Sequence, residues 1–369
     1  MATAVVAGAG IGGLTAASAL VSRGWDVTIC EQAPELAPVG TAIALTANAL
    51  HALDAIGLGD DVRALGVPEA TGGLRTADGR YLVRVDDRSG VLVLHRSALI
   101  DVLRPKDADL RLGTTVEGVT MTAGGPGRLV TSRGEITADL IVAADGARSM
   151  LRTLLFPGHP GLRYADYTAM RLTAPYDTAG MAASESWGPG ARFGVVPMSP
   201  DEVYAYAAFN MPAGSAYDDP RGELKRRFGD WHDPIPQLIE VADNVLQHDV
   251  YDLARPLPAY HAGPVAFVGD AAHAMTPDLG QGGCQAIEDG VVLARTVTGA
   301  DVRGRLPAYT GARLKRTVSI MRQSRQMARL GQVSSPLAVI ARTGAMRLVG
   351  ILPASVTDRA LVSLHNWRP

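Results

Sequence analysis

Ala4 to Ala7 is a short unbroken apolar run, the pattern of a strand buried on both faces. It leads at once into Gly8-Ala9-Gly10-Ile11-Gly12-Gly13 and an alanine-rich stretch with helical spacing. Val27 to Cys30 is a second strand pattern and ends on Glu31, eighteen residues after Gly13. Beyond it, Val39 to Leu45 is apolar with a glycine near its head, and Asn48 to Ile56 has helical spacing closed by Gly57 and Gly59. From Leu74 the texture changes. Leu74 to Thr76, Tyr81 to Val85 and Val91 to Leu94 are short strand patterns separated by Ala77-Asp78-Gly79-Arg80 and Asp86 to Gly90, which predict consecutive hairpins. His95-Arg96 opens a helical stretch to Leu103, and Val116 to Thr122 and Arg128 to Ser132 flank a further hairpin. Asp139 to Ala144 is a buried-strand pattern that runs into Asp145-Gly146.

Residues 164 to 253 read as a second, strand-rich region. Tyr167 to Thr173, Ala182 to Trp187, Arg192 to Pro197 and Val203 to Asn210 predict an antiparallel sheet, and Pro220 to Asp243 a proline-interrupted helical stretch. Alternation along Val203 to Ala207 puts Tyr204 and Tyr206 on one face. Then the first texture returns. Pro264 to Val268 predicts a strand, followed by Gly269-Asp270-Ala271-Ala272-His273, by Pro277 to Cys284, and by a long helix over Gln285 to Val297. Arg313 to Arg329 has helical spacing and predicts a helix linking this part to the tail. Pro336 to Val356 is apolar but carries Arg342 and Arg347 in its middle, so it reads as an amphipathic helix and not a membrane span.

The first thirty-one residues carry chemistry as well as pattern. Gly8 makes a tight turn, Gly10 lets backbone approach a pyrophosphate, and Gly13 lets the helix lie close to the strand. The helix N-terminus turns unpaired N–H groups and its positive dipole end to the phosphates, and Glu31 accepts from a ribose hydroxyl. That arrangement predicts a dinucleotide domain. No second glycine fingerprint follows a strand, so a second dinucleotide would have to bind without its own Rossmann domain. Arg96 is either a surface charge at a helix start or a group that reaches the dinucleotide.

Composition narrows the classes. Thirty-five basic and thirty-seven acidic residues leave a net charge of −2, so the overall balance points to neither a nucleic acid nor a membrane as partner. Cys30 and Cys284, the two cysteines, exclude a disulfide framework and fit a cytoplasmic compartment. No His, Cys and acid cluster has metal spacing, and His273 reads as a strand-exit residue bonded to backbone. Asp60-Asp61 and Lys225-Arg226-Arg227 read as solvated faces.

Gly8-Ala9-Gly10-Ile11-Gly12-Gly13 with Glu31, then Asp145-Gly146, then Gly269-Asp270-Ala271-Ala272-His273 with Pro277 and Gly280-Gln281-Gly282-Gly283, resemble in order and spacing the three flavin motifs of the single-component FAD-dependent aromatic hydroxylases, the para-hydroxybenzoate hydroxylase-like group. The resemblance covers the chain to about Val297. It implies an α/β fold, with a Rossmann-like FAD-binding domain over residues 1–73, 96–163 and 254–330. An inserted antiparallel substrate sheet over 74–95 and 164–253 and a helical tail over 331–369 complete it. Gly8, Gly10, Gly12, Gly13 and Glu31 would hold the ADP half of FAD, and Arg96, Asp145 and Gly146 would lie near the pyrophosphate and ribityl chain. Gly269 and Asp270 would bind the ribityl or its phosphate end. Gly280, Gln281, Gly282 and Gly283 would set N–H groups near the pyrimidine edge of the flavin, with Pro277 lining its oxygen-reacting face.

The chemistry implied is reduction of tightly, non-covalently bound FAD by NADH or NADPH, addition of O2 to give a flavin hydroperoxide, and hydroxylation of an aromatic or heteroaromatic small molecule by a monomer or homodimer. Arg192, Tyr204 and Asp278 match substrate-side positions of the subgroup acting on urate-like heterocycles and phenols, where the same Pro-Asp-x-Gly-Gln-Gly-Gly-Cys stretch occurs. Arg192 would stabilise an anionic substrate, Tyr204 orient it, and Asp278 sit by the flavin; a sheet-surface arginine, a core tyrosine and a loop carboxylate are the other readings. Epoxidation, an oxygen-free two-electron oxidation, and FAD binding without catalysis are the alternative functions. The four tryptophans form no Trp-x-Trp pair, which disfavours the flavin halogenases, and the cysteines lack near neighbours, which excludes a disulfide reductase. A single helical tail stands where larger phenol hydroxylases carry a further domain.

Overall fold

The fold was analysed in a computed structural model that describes residues 1–36, 42–68, 72–85, 90–121, 124–298, 301–351 and 364–369. Thr3–Ala7 is the centre of a six-stranded sheet, flanked by Leu140–Ala143 on one side and Asp26–Cys30 on the other, all parallel. Val265–Phe267 and Asp109–Arg111 extend it in parallel, and His261–Ala262 adds an antiparallel edge. The three central strands are buried almost throughout, which explains their unbroken apolar runs: a parallel sheet covered on both faces cannot alternate. The covering helices include Ile11–Val21 and Gln281–Thr296, which cross so closely that a Cβ on Gly290 would lie 2.7 Å from the Ala16 nitrogen.

The second layer is a seven-stranded sheet ordered Val245–Leu253, Leu162–Pro175, Glu202–Asn210, Ala191–Ser199, Ser184–Gly188, Gly72–Thr76, Tyr81–Val85. Every pairing is antiparallel except Ser184–Gly188 with Gly72–Thr76, which is parallel, so the expectation of a wholly antiparallel sheet is corrected there. One face is a small core of its own, with Met170, Leu172, Phe193, Val203 and Phe209 buried against Leu224, Phe228, Leu238 and Ile239 of the helices Pro220–Phe228 and Ile235–Val241. The other face takes the alternate residues and turns toward the first layer.

The strand at Leu92–His95 departs from the sequence reading. It does not continue a hairpin from Tyr81–Val85; it pairs with Ala42–Leu45 and Val67–Pro68 in a separate three-stranded sheet. Its residues Leu92, Val93 and Leu94 are all buried, so it needs apolar cover on both faces, which the half-exposed edge of the large sheet does not offer. Part of the expected turn, residues 86–89, lies outside the described residues. The third motif differs too. The long helix begins at Gln281, not Gln285: a 3-10 turn over Pro277–Leu279 ends on Gly280 at φ +62°, and Gly282 and Gly283 belong to the first helical turn. Thirty residues, Val302–Gly331, then form one helix that runs back along the molecule, and Pro336–Ile351 forms the last described long one.

Candidate active site

The three glycine and acid motifs meet at the C-terminal edge of the parallel sheet. A Cβ on Gly8 (φ +110°) would lie 2.4 Å from the Ala144 carbonyl oxygen beside Asp145, and one on Gly13 would lie 2.0 Å from the Gly8 oxygen, so both positions demand glycine for close backbone contact. Gly12 faces Ala286, Val268 and Gly269, and Gly283 faces Ile43 and Ile11, which brings the first turns of Ile11–Val21 and Gln281–Thr296 side by side. Neither helix has a side-chain cap. Two sets of unpaired helical N–H groups therefore converge, with two positive dipole ends.

The cleft they border is built for a ligand. Nothing lies within 4 Å of a Cβ placed on Gly10, Gly146 or Gly280, so each borders open space. The buried Nε of Arg96 and Oδ1 of Asp145 have no partner, whereas Oδ2 of Asp145 accepts from the Leu151 amide at 3.0 Å. Burial, then the like charge of Arg171, lowers the Arg96 pKa, with Asp270 opposing. An anion that bonds Arg96 would relieve both effects. Glu31 accepts from the amides of Ala9 at 2.8 Å and Ala33 at 2.9 Å, which ties the glycine turn to the acid and leaves lone pairs for a ribose hydroxyl. Asp270 heads the short helix Asp270–His273, its Oδ1 4.0 Å from a Cβ built on Gly282. These residues fit FAD: the helix N-termini and Arg96 would take its phosphates, Glu31 and Asp270 its hydroxyls, and the amides of the 280–283 turn its ring edge.

The Gln281 side chain takes no part in the cleft. Its side chain is fully buried, donating to Thr46 at 2.9 Å and accepting from Asn48 and Gln285 at 3.2 Å each, so only its backbone remains to face the cleft. His273, expected to bond backbone, is corrected. Its Nε2 meets the carboxylate of Asp289 at 2.5 Å, both fully buried, and the same oxygen accepts from the Gly269 amide at 2.9 Å. Asp289 in turn bonds Arg313, which also pairs with Glu288, and Arg316 pairs with Glu288 at 2.8 Å. Burial opposes the Asp289 anion, but His273 and Arg313 outweigh it and hold its pKa low. This buried network anchors the third motif to the long helix Val302–Gly331.

On the facing sheet, the register puts Glu185, Arg192, Tyr204, Tyr206, Tyr167 and Arg171 on one surface. Arg192 pairs with the carboxylates of Asp278 and, at 3.4 Å, Glu185. Burial works against its charge, yet Glu185 and Asp278 more than offset this and raise its pKa. The Tyr167 hydroxyl donates to the other Asp278 oxygen at 2.8 Å. Tyr206 lies over Gly194, where a Cβ would clash at 2.2 Å with the ring, and so reaches across to donate to Glu185. Burial first, then the neighbouring carboxylate, pushes both phenols above their usual pKa and keeps them donors. The structure thus joins two of the three expected substrate residues, Arg192 and Asp278, and sets Tyr204 beside Tyr206 with ring centroids 6.0 Å apart.

Sequence reading missed Tyr167, Glu185 and Arg152. The first two are alternate strand residues whose face was indeterminate without the register. Arg152 is buried, and donates to the carbonyls of Ala147, of Ala271 at 3.1 Å and of Asp270 at 3.3 Å, clamping the second motif to the third. Its place three residues after the Ser149 helix cap was a signal of helix, not of the clamp.

The chain is similar to known proteins over most of its length. Residues 1–324 match the family described as FAD binding domain. The chain is 36% identical over 362 residues to aurachin C monooxygenase/isomerase of Stigmatella aurantiaca, covering 94% of each chain. It is 34% identical over 363 residues to 2-heptyl-3-hydroxy-4(1H)-quinolone synthase of Pseudomonas aeruginosa, again 94% of each. The crystal structure of Klebsiella pneumoniae HpxO complexed with FAD and uric acid superposes with a TM-score of 0.86 at 28% identity, covering 94% of this chain and 92% of that one. The chain belongs to the FAD-dependent aromatic monooxygenases, oxidoreductases that use FAD as cofactor and NAD(P)H as co-substrate.

Proposed function

We propose that the chain hydroxylates a fused nitrogen heteroaromatic that carries an acidic N–H or hydroxyl next to a carbonyl, as quinolones and urate do. The carrying observation is the buried pair of Arg192 with Asp278, which lies two residues before the 280–283 turn in sequence and accepts from the Tyr167 hydroxyl. A planar, acidic heterocycle suits that surface: Arg192, its charge balanced by Asp278, donates a hydrogen bond to the ring, Tyr204 orients it, and Asp278, held by Arg192 and Tyr167, borders the cofactor side. Deprotonation enriches the ring carbon that is attacked. Relatives with quinolone and uric acid in their names support the class without choosing within it. FAD supplies the redox chemistry, in which one oxygen atom of O2 enters the substrate and the other leaves as water at the expense of NAD(P)H. The protein's part is to exclude water and hold the ring.

The division into a discontinuous FAD domain (1–73, 96–163, 254–330), a substrate sheet (74–95, 164–253) and a tail (331–369) belongs to this proposal, with Leu92–His95 moved from the substrate sheet to the strands Ala42–Leu45 and Val67–Pro68 with which it pairs. So do a monomer or homodimer and a cytoplasmic setting, which two unbridged, buried cysteines support. Among the described residues no helix is long and apolar enough to cross a membrane.

The test is oxygen uptake and NADH or NADPH oxidation by the FAD-loaded protein with 4-quinolones, urate and simple phenols. The expected result is stimulation by the bicyclic heterocycles and a product heavier by one oxygen atom. Stimulation by phenols alone sinks the substrate class, and a product without added oxygen sinks hydroxylation.

A further inference from the structure

The whole-chain charge of −2 conceals a strong local asymmetry. From Val302 to Thr357 there is no aspartate or glutamate, while residues 302–351 hold nine arginines and a lysine. Several of these cations are consumed internally: Arg313 and Arg316 by Glu288 and Asp289, Arg325 by Asp252, and Arg342 by backbone carbonyls. Arg305, Lys315, Arg322, Arg329 and Arg347 are exposed and make no ion pair among the described residues. The first four recur every seven to ten residues along Val302–Gly331, with exposed Ala308, Ala312, Ser319 and Gln326 between them, which is one continuous helical face.

The next helix, Pro336–Ile351, carries the complementary feature. One side is fastened down: Arg342 is buried and donates to the Gly331 and Gly188 carbonyls at 3.1 Å, capping the preceding helix, and Gly350 lies against the Leu82 carbonyl. The opposite side is an apolar stripe in solvent. Leu337, Ile340, Leu348 and Ile351 are 82%, 69%, 68% and 79% exposed, and the positions between them on that side are Ala341 and Gly344. Four large aliphatics in line, with Arg347 flanking them and no acid in either helix, form the pattern of a helix that lies in a lipid interface.

We infer that this C-terminal helix pair docks on an anionic membrane surface, the stripe of Pro336–Ile351 entering the headgroup boundary and the unpaired cations meeting acidic lipid. Charge complementarity selects this occupant. A second copy meeting the stripe isologously would bring the Arg347 of both copies to one interface, with no acid in these helices to offset them. An anionic bilayer supplies apolar depth and negative charge together. Docking here is independent of the substrate: it holds whether the ring is water-soluble or carries an alkyl chain.

The experiment is vesicle flotation of the full-length, FAD-loaded protein, with phosphatidylcholine alone or with about a third phosphatidylglycerol, at low and high salt. The expected result is binding to the anionic vesicles at least about tenfold tighter than to neutral ones and weakened by salt. Leu348→Glu with Ile340→Glu should abolish binding, and Arg322→Gln with Arg347→Gln should weaken it. All four substitutions are of exposed groups, so flavin absorbance and Tm should stay unchanged in both variants and verify the fold. Absence of binding to either vesicle overturns the inference, as does equal binding to both. Sedimentation that shows a dimer split by Ile340→Glu also overturns it, because a second copy then covers the stripe.

Discussion

The hydroxyl of Tyr167, from the long strand Leu162–Pro175, donates to the carboxylate of Asp278 in the 3-10 turn Pro277–Leu279 of the third flavin motif, at 2.8 Å. The two residues are 111 apart in sequence. With Arg192 on the neighbouring oxygen, this bond fastens the sheet to the edge of the cofactor cleft.

Tyr167→Phe keeps the ring and removes that donor. Asp278 then retains Arg192 but loses one buried partner, which costs about 1–2 kcal/mol of stability. The expected functional effect is larger on coupling than on rate: NAD(P)H oxidation continues while the share that yields hydroxylated product falls. Product formed per NAD(P)H consumed is the measurement, and an unchanged ratio would refute a positioning role.

Gly10 and Gly13 separate ligand space from packing space. Gly10→Ala meets no protein atom within 4 Å, so the fold and Tm of the FAD-free protein should persist while FAD retention is lost. Gly13→Ala sets a Cβ 2.0 Å from the Gly8 oxygen and should destabilise the protein itself by about 1–3 kcal/mol or more. Circular dichroism and flavin content of the two variants distinguish these outcomes.

Arg152→Ala strips donors from the carbonyls of Ala147, Asp270 and Ala271 and leaves them buried. Loss of about 2–4 kcal/mol is expected. Because the clamp holds the Asp270 helix, FAD affinity should fall by about tenfold or more, equivalent to 1.4 kcal/mol. Fluorescence titration with FAD reads this directly. An affinity equal to wild type would show that the third motif holds its place without the clamp.

Burial pushes the Cys30 thiol up to about 11 and raises that of Cys284. Both are raised above the ordinary thiol value, so the neutral form persists in the native protein at pH 8 and above, and the thiolate appears only in more alkaline solution. Iodoacetamide at pH 8 should therefore label neither cysteine in the folded protein and both after unfolding. Rapid labelling of native Cys284 would contradict its enclosure beneath the Gly280 turn.

Much of this molecule is legible before folding because its signals are local. Gly8, Gly10 and Gly13 serve a turn, a ligand approach and a helix contact within one strand–helix unit, and Glu31 lies at the end of the next strand. Alternation along Val203 to Ala207 depends only on strand geometry, and Tyr204 and Tyr206 indeed share a face. The apolar run at Leu92–His95 was compatible with either sheet, and only burial on both faces decided its partner. Nor does local pattern say which carboxylate His273 meets, that Gln281 turns inward, or that Arg152 joins two motifs, since each contact spans the chain. Arg192 and Asp278 were both identifiable as residues, but their mutual neutralisation exists only once the sheet closes over the cleft. By itself the sequence determined the cofactor domain, because phosphate binding is local backbone chemistry; the tertiary structure alone decided the substrate surface, because charge pairing and burial there come from residues brought together across the whole fold.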